Sequence, residues 1–182
     1  KLKTRLHFVD DSIKKIERYR NSPKTGICSL EYISQRYIYG IQCQHDFYKT
    51  NIQDYEKDIT LLRNHLLSLN LDQVYSYNIG TSIAKEDFIR HDLRASEIFI
   101  FSEFKIDNLP VKKIESSMYA TIYASSYDEE IEDIKKLIRY TEENHYSLSG
   151  DYLCEVLTEF NVFDQNERGM FLRLQVPVKF NS

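Results

Sequence analysis

Two segments 75 residues apart, Asp58-Ile59-Thr60-Leu61-Leu62 and Asp133-Ile134-Lys135-Lys136-Leu137, each lie inside an amphipathic helical pattern. The same succession of elements surrounds both. In the first part, Cys28 to Gln42 reads as a strand rich in Tyr and Ile, bent at Ser34-Gln35-Arg36. Asn51 to Leu69 reads as a helix, with Asn51 as N-cap and Tyr55, Ile59, Leu62 and Leu66 along one stripe. Val74–Ile79 and Ile98–Phe104 read as strands. In the second part, Val111–Ser125 reads as a strand and Asp128–Tyr146 as a helix carrying Ile131, Ile134, Leu137 and Ile138. Strands at Tyr152–Phe160 and Met170–Val178 follow, the last marked by strict alternation of Met170, Leu172, Leu174, Val176 and Val178. This is β-α-β-β twice, a faint internal duplication. One half alone would leave a sheet edge and a face uncovered. Two halves related by a pseudo-twofold axis cover them and leave a ligand cleft between. The expected fold class is therefore α+β, because the helices are too few for a doubly wound parallel sheet.

The N-terminal stretch stands apart. Val9, Ile13 and Ile16 share a helical face, and Asn21-Ser-Pro-Lys-Thr-Gly26 stops that helix. Residues 1–25 are read as a helical arm or linker and 26–182 as the domain. The arm carries a net charge of +5 and the rest −9. An acidic body repels nucleic acid. The basic arm fits either a segment near DNA or an ordinary solvated helix face. The first residue is Lys1, compatible with a piece cut from a longer protein. No apolar run reaches the roughly 18 residues of a membrane helix. Three cysteines, Cys28, Cys43 and Cys154, are odd in number and well separated. They argue against a disulfide framework and fit a reducing, cytoplasmic setting.

Several chemistries find no support. The five glycines form neither G-x-G-x-x-G nor a P-loop. The five histidines are scattered without metal-ligand spacing, so neither a metal nor a cofactor is expected. His91-Asp92 lies in a polar stretch that reads as connector rather than as half of a catalytic pair. No catalytic residue is assigned.

Glu155 stands out instead. With period 2 it shares a strand face with Leu153 and Leu157. Inside and unpaired, such a carboxylate is costly, its pKa rises, and a cationic ligand is the natural missing partner. On that reading Glu155→Gln leaves stability unchanged or improved. The alternative is an edge strand that Glu155 protects from aggregation. Tyrosine is abundant, with 14 residues. Tyr75 and Tyr77 share one strand face, Tyr119 and Tyr123 another, and Phe99 and Phe101 a third. Such stripes are commonly core, but aromatic faces close to a carboxylate also attract cations. Glu155, Tyr119, Tyr123, Tyr75, Tyr77 and Phe99 are the candidate ligand-binding residues.

The stretches Lys113–Ser126, Glu132–Tyr140 and Ser149–Leu157 resemble the second half of GyrI-like effector-binding domains, more closely the C-terminal multidrug-binding domain of MerR-family transcription regulators. Ser29–Tyr39 and Ser76–Gly80 are similar to that family's first half. The resemblance implies a domain that senses a hydrophobic, often cationic small molecule, with Glu155 at the floor of the pocket. It implies DNA contact only through an N-terminal region outside this sequence, no membrane partner, and a homodimer in the full-length regulator. Some stand-alone members of the wider family look like small-molecule hydrolases. The competing expectation is therefore an enzyme using Glu155 as general base.

Overall fold

A computed structural model describes residues 24–71, 73–160 and 169–180. The helix expected near residues 12–19, and the arm it belongs to, lie outside the described residues save for the last two residues of the arm. The strands are β1 (Ser29–Ile33), β2 (Arg36–Gln42), β3 (Asn78–Ile83), β4 (Glu97–Ser102), β5 (Lys112–Ile114), β6 (Ser117–Ser126), β7 (Ser147–Leu148), β8 (Tyr152–Phe160) and β9 (Gly169–Lys179). The helices are α1 (Ile52–Ser68), the short α2 (Lys85–Ile89) and α3 (Tyr127–Glu143).

The strands form one antiparallel sheet in the order β1-β6-β9-β8-β3-β4-β2-β5, with β7 added on β9. Read outward from the β8/β3 junction, one half runs middle, last, first (β8, β9, β6). The other runs the same way (β3, β4, β2). The expected duplication is thus present, with its pseudo-twofold axis at the pairing of Gly80 with Glu155 and Ser82 with Leu153. Each opening strand also crosses over, so that β1 pairs with β6 and β5 with β2.

That crossing forces the sheet to curl. Eight flat strands would separate the outer two by about 34 Å. The link from Ile33 to Arg36 spans at most about 11 Å, yet it joins β1 at one end of the sheet to β2 near the other. The links Ser34-Gln35 and Glu115-Ser116 meet where Gln35 N–H donates to Ser116 Oγ at 3.0 Å. The bend expected at Ser34-Gln35-Arg36 is this crossing. The single strand expected over Val111–Ser125 is instead two strands, because it makes the matching crossing.

Both long helices pack on the outer face. Tyr55, Ile59, Leu62 and Leu66 of α1 join Ile134, Leu137 and Ile138 of α3 over Ile79, Ile98, Ile100, Ile122, Leu172, Leu174 and Val176. Asn51 Oδ1 caps α1 by accepting from Asp54 N–H at 3.2 Å, and Ser126 Oγ caps α3 by accepting from Glu129 N–H at 3.3 Å. The strand expected over Val74–Ile79 begins four residues later. Val74–Ser76 is a 3-10 turn, and β3 carries on through Thr81 and Ser82. Those polar residues tolerate burial because Thr81 Oγ1 bonds Tyr48 Oη at 3.0 Å and Ser82 Oγ accepts from Glu97 N–H at 3.2 Å. The polar stretch after it hides α2, held by buried Phe88 stacked on Tyr152.

Candidate functional site on the inner face of the sheet

Arg36 on β2 reaches Gln175 on β9 at 2.7 Å, although four strand spacings separate those strands in the sheet. Only the inside of a tight curl permits this contact, so the face bearing Arg36 is concave. Strand alternation places Phe99 and Phe101, Tyr119 and Tyr123, Leu153, Glu155 and Leu157, and Phe171, Arg173 and Gln175 on it. Two apolar clusters occupy this face. Ile38, Phe99, Phe101 and Leu153 form one, and Tyr123, Leu157 and Phe171 the other; neither contains a residue of the three described helices. Glu155 sits between Leu153 and Leu157, at the boundary of the two.

Two glycines make room for close approach of Phe99 and Phe101 to the sheet. A Cβ at Gly80 would run into the rings of Phe99 and Phe101, and one at Gly40 into the backbone and Cβ of Phe99. The two rings then meet edge to face at 5.2 Å.

Glu155 is buried, as its apolar neighbours suggest, but it is not a lone carboxylate. Its Oε2 accepts from Arg36 Nη1 at 3.0 Å and from Arg173 Nη2 at 2.6 Å, and its Oε1 accepts from Asn78 Nδ2 at 2.8 Å. Burial pushes its pKa up, yet Arg173 and Arg36, with the Asn78 hydrogen bond, outweigh that and hold it at about 2. The expected raised pKa is therefore corrected: the missing partner is supplied by the chain itself. The edge-strand alternative also falls, because β8 lies between β9 and β3.

The Arg36 guanidinium occupies the place expected for a ligand cation. Its Cζ lies 4.7 Å from the centre of the Phe101 ring and 5.6 Å from that of Tyr119, with Glu155 alongside. Beyond it, Glu31 on β1 accepts from Thr121 Oγ1 and Tyr123 Oη, each at 3.0 Å. Burial pushes the Tyr123 phenol up to about 12, so it stays a donor.

Of the six candidates, Glu155, Tyr119, Tyr123 and Phe99 come together on the inner face. Tyr75 and Tyr77 do not. Tyr75, in the 3-10 turn, is 74% exposed with its ring 4.7 Å from the Arg63 guanidinium. Tyr77 packs half-buried against the outer core. Both were displaced by the late start of β3. His91 and Asp92 also part company: His91 Nε2 pairs with Glu142 at 2.8 Å and Asp92 with Lys49 at 2.6 Å. Sequence reasoning missed Arg36, Asn78, Arg173, Gln175 and Glu31. The signal available was the alternation of β9, whose second face carries Phe171, Arg173 and Gln175 opposite the expected apolar one.

No family model matches the sequence, and no curated protein matches it. Among solved structures the chain is similar to the EcmrR C-terminal domain, at TM-score 0.58 and 16% identity, covering 85% of this chain and 98% of that one. EcmrR is also known as an EcmrR–DNA complex, where the likeness covers 69% of that chain. SAV2435 bound to tetraphenylphosphonium matches at TM-score 0.52 and 12% identity, over 84% of this chain and 94% of that one. A hydrolase encoded by lin2189 from Listeria innocua matches at TM-score 0.51 and 10% identity, over 91% and 98%. The chain has the GyrI-like α+β fold that the sequence resemblance implied.

Proposed function

We propose that this chain is the effector-binding domain of a transcription regulator and that a small hydrophobic molecule binds on the inner face of its sheet. One observation carries this reading. Both halves contribute to a concave face where two apolar clusters flank a buried charged cluster, and none of the three described helices joins those clusters. Sites of this make-up, mostly apolar with a few placed polar groups, suit small organic ligands. Glu155, Tyr119, Tyr123 and Phe99 remain the proposed contacts. Tyr75 and Tyr77 are withdrawn on their positions. DNA contact is proposed to come from a region outside this sequence, with a homodimer in the full-length regulator. No helix among the described residues is long and apolar enough to cross a membrane, and a cytoplasmic setting is proposed with the regulator role.

The finer expectation of a cationic ligand has the tetraphenylphosphonium complex of SAV2435 behind it. Against it stands the pairing of Glu155 with two arginines of this chain. The hydrolase alternative has the lin2189 likeness behind it. It is weakened by the same pairing, since a carboxylate held at about 2 is a poor base at neutral pH.

The test is fluorescence and calorimetric titration with bulky aromatic dyes and with tetraphenylphosphonium. Saturable, mutually competitive one-to-one binding in the micromolar range is expected, on the order of 1–100 µM. A panel without any saturable binder would sink the ligand-sensing reading. Hydrolysis of an activated ester that Glu155→Gln abolishes would install the enzyme in its place.

A further inference from the structure

The inner face carries a surplus of hydrogen-bond donors. Among the described residues five buried side-chain polar atoms lack a hydrogen-bond partner: Arg36 Nε, Arg63 Nε, Thr158 Oγ1, Arg173 Nε and Gln175 Nε2. Three of these, Arg36 Nε, Arg173 Nε and Gln175 Nε2, belong to one connected cluster, and all three are N–H donors. Arg36 joins Gln175 at 2.7 Å and Glu155 at 3.0 Å, and Arg173 joins the same Glu155 oxygen at 2.6 Å. The assignment at Gln175 is secure: its Oε1 accepts from Arg36 Nη2, so a flipped amide would set donor against donor. Its Nε2 therefore remains a donor, on a residue with no exposed surface at all.

The tyrosine hydroxyls close by already interact with the guanidinium groups, Tyr119 with Arg36 and Tyr123 with Arg173. Both oxygens of Glu155 take arginine or asparagine donors, and both oxygens of Glu31 take hydroxyls. Charge does not oppose an acceptor here, since the guanidinium groups of Arg36 and Arg173 are balanced by the carboxylates of Glu155 and Glu31 rather than outnumbered by them. A buried donor without a partner costs about 1–3 kcal/mol, and three on one cluster are poorly explained by packing alone.

We infer that the effector of this chain presents a hydrogen-bond-accepting, anionic head, such as a carboxylate on an aromatic or aliphatic body, to Arg36, Arg173 and Gln175. This rests on the ligand-binding reading of the same face and reverses its expected charge. The flanking apolar clusters around Phe99 and Leu153, and around Tyr123 and Phe171, take the body. The planar forks of Arg36 and Arg173 supply the head with charge-assisted donors.

Three probes with one body and different heads test this: 4-(1-pyrenyl)butanoate, 4-(1-pyrenyl)butanol and 4-(1-pyrenyl)butylammonium, titrated by pyrene fluorescence. The carboxylate is expected to bind about tenfold or more tighter than the ammonium, the effect of one charge-assisted hydrogen bond. Arg173→Lys keeps a cation beside Glu155 but removes the Nε–H and the fork, and it should erase most of that preference. In the unsubstituted protein, arginine Nε–H NMR signals should shift with the carboxylate and not with the ammonium. Equal affinity for the three heads would mean the donors are served by water and overturn the inference alone. Tighter binding of the ammonium would overturn it in favour of a cation at Glu155. Binding of none of the three would remove the ligand-binding reading beneath it as well.

Discussion

At Glu155 desolvation favours the neutral acid, while two guanidinium groups favour the carboxylate and prevail. A carboxyl that titrates at about 2 in the folded chain and near its ordinary value of 4.5 when unfolded binds fewer protons in the folded state between those values. Its contribution to stability is therefore complete above about pH 4.5 and is lost as the pH falls toward 2. Urea unfolding of the parent should show roughly 3 kcal/mol disappearing across that window from this group. In Glu155→Gln that part of the acid loss should be absent. At pH 7 the same variant should be about 3 kcal/mol less stable, because it leaves Arg36 and Arg173 buried without their counter-charge. A lone carboxylate on an apolar strand predicts the opposite sign. Equal stability of parent and variant at pH 7 would show that the arginines do not hold Glu155 in solution.

Among the elements, α3 shows how amphipathic pattern and tertiary detail divide the work. Its stripe of Ile134, Leu137 and Ile138 was legible, and so was its position. Its first turn also sends Glu130 into the outer core, where the carboxylate accepts from Tyr48 Oη at 2.8 Å and Tyr152 Oη at 3.1 Å. A cavity of about 10 Å³ adjoins it, lined in part by Phe47, Tyr55 and Tyr127. Burial raises the Glu130 pKa more than the hydroxyls lower it. The folded state then binds more protons than the unfolded one above pH 4.5, so this group costs stability as pH rises through its folded value. Glu130→Gln retains an acceptor for the tyrosines and removes the ionisation. It should be more stable than the parent at pH 8 and converge with it toward pH 5. Thermal unfolding across that range checks this, and a parent more stable than the variant at pH 8 would contradict it. The opening strands were less legible, because apolar alternation runs through a crossing as it runs through a straight strand. The far end of β3 was missed because Thr81 and Ser82 satisfy their hydroxyls inside the sheet, so burial there leaves no hydrophobic trace.

At the scale of the molecule, the curl is the decisive feature. It brings Arg36, Glu155 and Gln175 together from strands that are remote in the sheet order. All described strands and both long helices belong to this one sheet and its outer core. The domain proposed over 26–182 should therefore hold without the arm. Deleting residues 1–22 is expected to leave a single cooperative thermal transition, with sedimentation showing a monomer or weak dimer. Loss of the transition would place the arm in the core, and a tight dimer after its removal would place the dimer interface on the body.

What the sequence by itself determined is the set of elements: two β-α-β-β halves, two amphipathic helices, the first capped by Asn51, and Glu155 on an apolar strand face. These depend on spacing along the chain, through helical and strand periodicity and cap chemistry. Only the tertiary structure decided what Glu155 meets. Hydrophobic alternation reports that a face is buried but not which distant polar groups arrive there. Arg36 stands 119 residues from Glu155 in the chain and Arg173 stands 18 away. The crossing of the two opening strands carries Arg36 across the barrel-like curl, and pairing of β8 with β9 sets Arg173 directly opposite Glu155. Coulomb attraction at hydrogen-bond distance then turns a carboxylate expected to be neutral into one held ionised, with its pKa at about 2.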